Sequence, residues 1–122
     1  MKLLTLSLSL FFLSFGTANS GFDQIFKTNL KITVIDELGN IVPGAKVTIY
    51  KNKLDYDAEK NPVQETKITN NKGQVTFKKV ETIAYYVLAK KGDMDNIGAG
   101  EIITELEKGK LNKANVVISD GL

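Results

Sequence analysis

The sequence predicts an all-β protein: a seven-stranded antiparallel Greek-key β-sandwich, preceded by a cleaved signal peptide. Three observations carry that expectation. Segments such as "LKITVID" and "AKVTIY" alternate apolar and polar residues with a period of two, the mark of a half-buried strand. Clusters of Gly, Asn, Pro and Asp separate these segments at short intervals, as turns do between short strands. The 122 residues include no Cys, so a small fold must here be held by packing and backbone pairing rather than by disulfides.

Residues 1–20, "MKLLTLSLSLFFLSFGTANS", place one positive charge at Lys2 before an apolar stretch running from Leu3 to Phe15. The stretch closes on Ala18 and Ser20, spaced as the small residues that signal peptidase reads. It is shorter than the roughly 18 to 20 apolar residues that span a bilayer, so cleavage after Ser20 is expected rather than anchoring. No Cys follows to carry a lipid, and no transmembrane segment is expected in the mature chain. The expected organisation is signal peptide over 1–20, a short leader over 21–28 and one domain over 29–122. The expected location is exported, periplasmic or secreted. A domain of this size buries roughly 60 to 70% of its unfolded surface, enough for one core.

"LKITVID" sets Leu30, Ile32 and Val34 on one face and Lys31 and Thr33 on the other. "DELGN" then supplies Gly39 and Asn40, which tolerate the positive φ of a tight turn. Pro43 lacks a ladder donor and belongs at an edge or corner; Gly44 lets the chain bend there. "AKVTIY" alternates again, Ala45, Val47 and Ile49 against Lys46, Thr48 and Tyr50. Residues 51–62 have no period and many charges, which predicts a long exposed loop. "VQETKIT" predicts a third, weaker strand. "TNNKG" is a turn, and "QVTFKKV" a strand with Val75 and Phe77 facing the core. "TIAYYVLAKKG" is apolar enough for a central strand covered on both faces, with one of Tyr85 and Tyr86 buried and the other half-buried. "EIITELEKG" fits either a strand or a short amphipathic helix over 101–108. "NKANVVIS" closes the domain, with Val116 and Ile118 on one face and Val117 on the other.

The order "D-x-x-G-N-x-V-P-G-A-x-V-x-I", then "T-N-N-K-G-x-V-x-F", then "Y-Y-V-L-A-K-K-G" resembles the carboxypeptidase regulatory-like domain, of the transthyretin-like (prealbumin-like) β-sandwich family. The likeness runs from about Leu30 to Ser119. Its motif residues, Gly39, Asn40, Pro43, Gly44, Ala45, Gly73 and Phe77, all have structural roles. The resemblance implies a non-catalytic accessory module. Related collagen-adhesin B-type domains cross-link a Lys of the first strand to a late Asn; Val34 stands at that position here, so no such bond is expected.

Composition narrows the chemistry. All sixteen basic residues are Lys, spread along the chain and nearly balanced by fourteen carboxylates. Without the planar fork of Arg, nucleic-acid binding is not expected. His and Cys are absent, which removes the common general base and the preferred zinc ligands. No catalytic residue and no cofactor are expected. Among carboxylates, Asp93 with Asp95 and the loop acids Asp55, Asp57 and Glu59 are the candidates for acid–base work. The latter three also space oxygens as a calcium loop begins, but Lys60 follows them and the glycine of the full loop is missing. Tyr50 and Tyr56 are expected to be exposed, and so are the candidate ligand contacts in an alternative reading as a starch-binding-like carbohydrate module. The leading expectation is a module of the bacterial envelope or exterior that binds another exported protein, with sheet edges as its contact surface.

Overall fold

The computed structural model describes residues 27–97 and 102–120. The expected signal peptide, residues 1–20, and most of the expected leader lie outside the described residues. β1 (Asn29–Ile35) follows its sequence period: Leu30, Ile32 and Val34 are fully buried, and Lys31, Thr33 and Ile35 are half-exposed on the opposite face. β2 (Lys46–Tyr50) is followed by a short helix, α1 (Lys53–Ala58), and then by β3 (Lys67–Ile68) and β4 (Gln74–Phe77). β5 (Tyr85–Lys91), β6 (Met94–Asp95), β7 (Ile102–Ile103) and β8 (Leu111–Val117) complete the chain.

These strands form two sheets, one in the order β4-β1-β8 and one in the order β3-β2-β5-β6, with β7 also pairing β5. Between them lies one core. β1, β4 and β8 supply Leu30, Ile32, Val34, Val75, Phe77 and Val116; β2 and β5 supply Val47, Ile49, Tyr85, Val87 and Ala89. Burying each large side chain of this set stabilises the fold by roughly 1.5–3 kcal/mol relative to exposure. The architecture is the expected β-sandwich.

Several details differ from the sequence expectation. Eight strands are present among the described residues, and the β1–β8 pair is parallel, in register from Asn29↔Leu111 to Ile35↔Val117. A parallel pair requires a long crossover, and β2 through β7 lie within it. The exposed loop over 51–62 contains α1, whose start is marked by Asn52: its Oδ1 accepts the Asp55 N–H at 2.8 Å. The third strand shrinks to Lys67–Ile68, paired with β2 at Lys46 and Val47. Within 101–108, Ile102–Ile103 is strand, paired with Tyr85 and Tyr86, and Glu101 lies outside the described residues.

The corner motif has a clear backbone function. Gly73 has φ +73, and a Cβ there would stand 3.0 Å from the Ile41 Cβ and 3.1 Å from the Val34 carbonyl oxygen. Gly44 has φ +76 and accepts the bend after Pro43, its N–H donating to the Thr69 carbonyl at 3.0 Å. Both conformations are left-handed, where a Cβ is strained. Thr69 is buried and ties the corner together. Its hydroxyl donates to the Val42 carbonyl at 2.6 Å and accepts the Ala45 N–H at 2.8 Å. Gly39 and Asn40 close the first turn around Asp36, whose Oδ1 accepts the N–H groups of Leu38 and Asn40, each at 2.9 Å.

Candidate functional site

The sequence predicts solvent exposure for Tyr50, at the end of β2, and for Tyr56, in the loop that follows it. The structure buries both. Tyr50 is 3% and Tyr56 9% exposed, and with Leu88 and half-buried Tyr86 they form a second small core. α1 makes this core by laying Tyr56 over the sheet, its ring edge-on to Tyr50 (centroids 6.0 Å, 81°) and tilted against Tyr86 (5.7 Å). Burial, together with the Glu59 charge, raises the Tyr50 phenol above its ordinary pKa, while Lys90 opposes the shift. Flat, solvent-facing rings for stacking on a sugar are therefore missing at these two positions. The sequence did carry a signal for the covering helix: Asn52, with Asp55 three residues on, has the spacing of a helix start.

α1 also separates the candidate calcium ligands. Residues two apart on a helix point in different directions. Asp55 accepts from the Nδ2 atoms of Asn52 (3.2 Å) and Asn61 (3.3 Å), Asp57 pairs with Lys53 at 2.7 Å, and Glu59 pairs with Lys90 at 3.0 Å. Among the described residues no three acidic side chains converge to hold a metal ion. Asp95 is occupied as well, its Oδ1 accepting the Ile97 N–H at 3.1 Å, while Asp93 is exposed in the turn before β6. A groove of about 480 Å³ lies between the α1–β3 and β4–β5 connections, and its Lys51 and Glu81 are already paired at 2.8 Å.

The sheet edges differ sharply in length. β3, β6 and β7 are two residues long and β4 four, short enough to offer little to an incoming strand. β8 is seven residues long, and its only described strand partner is β1. Asn29 N–H donates to the Lys110 carbonyl at 3.0 Å and Ile118 N–H to the Ile35 carbonyl at 2.9 Å. In the parallel register this commits the even-numbered residues of β8, Asn112, Ala114 and Val116, to the β1 ladder. The backbone groups of Leu111, Lys113, Asn115 and Val117 therefore face away from β1, and no described residue pairs with them. Leu111 and Val117 are also exposed as side chains. Strand alternation points to sheet edges in general; the pairing order among the described strands singles out this one.

Fold and edge together define a two-layer β-sandwich in which one long edge, that of β8 over Leu111–Val117, has no partner among the described residues. No protein-family model matches the chain. A sequence comparison with curated proteins also finds no match. Among solved structures the fold is similar to the Bacillus anthracis TIE protein, with a TM-score of 0.53 and 19% identity over 76% of this chain and 16% of that one. It is similar as well to BcpA, the major pilin subunit of Bacillus cereus, with a TM-score of 0.53 and 13% identity over 78% of this chain and 30% of that one. The chain thus spans less than a third of either neighbour's length. At these identities the likeness establishes the β-sandwich fold. No helix among the described residues is long and apolar enough to cross a membrane.

Proposed function

We propose that this chain is an exported, non-catalytic module of the carboxypeptidase regulatory-like kind that binds another envelope or secreted protein. The observation that carries this reading is the edge of β8, seven residues of strand whose outward backbone donors and acceptors meet no partner strand among the described residues. The composition supports it, since a chain without His or Cys lacks the usual proton carriers and nucleophile partners at neutral pH. The ion pairs and turn contacts that engage Asp55, Asp57, Glu59 and Asp95 support it too, because a carboxylate held in such contacts is poorly placed for proton transfer. Export is supported by the order of residues 1–20, a cation, an apolar stretch and then small residues. A similar sandwich occurs in BcpA, the major pilin subunit of Bacillus cereus.

The test is affinity capture with a tagged chain from the exported fraction of its own cells, with intact-mass measurement of the recovered bait. The expected result is a bait beginning at Gly21 that captures one or a few defined proteins. A bait retaining Met1, or reproducible turnover of a glycoside or peptide substrate by the pure chain, overturns the reading.

A further inference from the structure

The outer face of the first sheet carries an unbalanced pair. Lys31 of β1 and Lys113 of β8 are directly opposite in the parallel register, with side chains on the same, solvent-facing side. Neither takes part in any ion pair among the described residues; nearby Lys110 is already paired with Glu107 at 2.9 Å. Like charges facing each other across a strand pair are unfavourable. Two lysines side by side, next to a strand edge that no described residue pairs, leave a place for a carboxylate on the next strand outward.

The surrounding residues fix what that strand must look like. Side chains that alternate on this face of β8 are Leu111, Lys113, Asn115 and Val117, apolar at both ends and polar in the middle. A strand added to β8 places every second side chain beside these four. Its main chain would meet the outward N–H and C=O groups of the same odd-numbered residues. We propose that the edge of β8 takes an extended acidic segment of another protein as an added strand. That segment has a carboxylate beside Lys113 and apolar residues beside Leu111 and Val117. The proposal rests on the interaction-module reading above and specifies its surface and partner chemistry.

The experiment uses two synthetic nine-residue peptides of alternating Thr and Val, identical except for Glu or Lys at the centre. Binding to the ¹⁵N-labelled chain is followed by amide chemical shifts. The expected result is that the Glu peptide shifts the amides of Lys113, Asn115 and Val117 and binds about five- to tenfold more tightly than the Lys peptide. Lys113→Glu, a surface change, should invert that preference. Asn115→Pro should abolish binding of both peptides, because it removes an outward donor while costing the β1 ladder none. Equal affinity for the two peptides, no binding by either, or shifts centred elsewhere overturns the proposal. So does peptide-independent, concentration-dependent shifting of these amides, which would make a second copy of the chain the occupant. In the capture experiment, a partner retained equally by wild type and Asn115→Pro overturns the β8 assignment while leaving the interaction-module reading intact.

Discussion

Asn96 stands in for a missing strand residue beside Ala89. Its Oδ1 accepts the Ala89 N–H at 2.9 Å, and its Nδ2 donates to the Val87 carbonyl at 2.8 Å. β5 pairs with β7 at Tyr85 and Tyr86 and with β6 at Lys90 and Lys91. Between those two short strands its backbone is served by a side chain. Asn96 is 2% exposed, so neither backbone group has water as an alternative.

Asn96→Leu should therefore cost about 2–4 kcal/mol, as two buried backbone groups lose their partners and neither gains another. Urea denaturation measures it. A loss below about 0.5 kcal/mol would place Asn96 in the range of an ordinary surface residue.

Phe77 and Lys78 are adjacent and face opposite ways, Phe77 fully buried and Lys78 exposed. Phe77→Ala should cost about 3–5 kcal/mol through the cavity it leaves. Lys78→Ala should cost less than about 0.5 kcal/mol. Chemical denaturation of both variants checks the register of β4, and equal losses contradict it.

Gly73 and Gly44 share a left-handed backbone but not the same surroundings. At Gly44 the nearest atom to a new Cβ is the flexible Lys91 Nζ at 3.2 Å, whereas Gly73 meets the backbone of Val34 and Val42, each at 3.1 Å. Gly44→Ala should cost on the order of 1 kcal/mol from φ alone. Gly73→Ala should cost roughly 2–4 kcal/mol, strain and close contact together. Thermal unfolding in parallel gives the ranking. For Gly44→Val, the fold role of the corner predicts a lower melting temperature; a stable variant that no longer captures the partner would instead make the corner a contact loop.

Asp36 is held below its ordinary pKa, chiefly by the Asn40 N–H, with smaller help from Leu38 and the Asn40 side chain. A depressed folded-state pKa contributes stability that is present above the unfolded value near 3.9 and is lost as pH falls through the folded value. Asp36→Ala should thus lower the urea midpoint at neutral pH, and its difference from wild type should shrink as the pH falls through and below the ordinary carboxylate range. A difference that stays constant across that range would remove the charge from the account. Asp36 is half-buried at the surface, so added salt should weaken the effect.

The parts of this protein that the sequence settled are those written in the side-chain period and in turn chemistry. Leu30, Ile32 and Val34, and likewise Val47 and Ile49, are buried where alternation put them. Gly44 and Gly73 take positive φ where the pattern of turn residues asked for it. Period two tells which face of a strand is buried, because successive side chains point to opposite sides. It does not say which strand lies alongside or what covers the second face. Tertiary structure alone made β8 the parallel neighbour of β1 and left its other edge without a partner strand among the described residues. It also folded α1 over Tyr50, turning two expected contact residues into core, and placed Asn96 in the gap along β5. Each of these depends on segments distant in sequence meeting in space, a term that local periodicity does not contain.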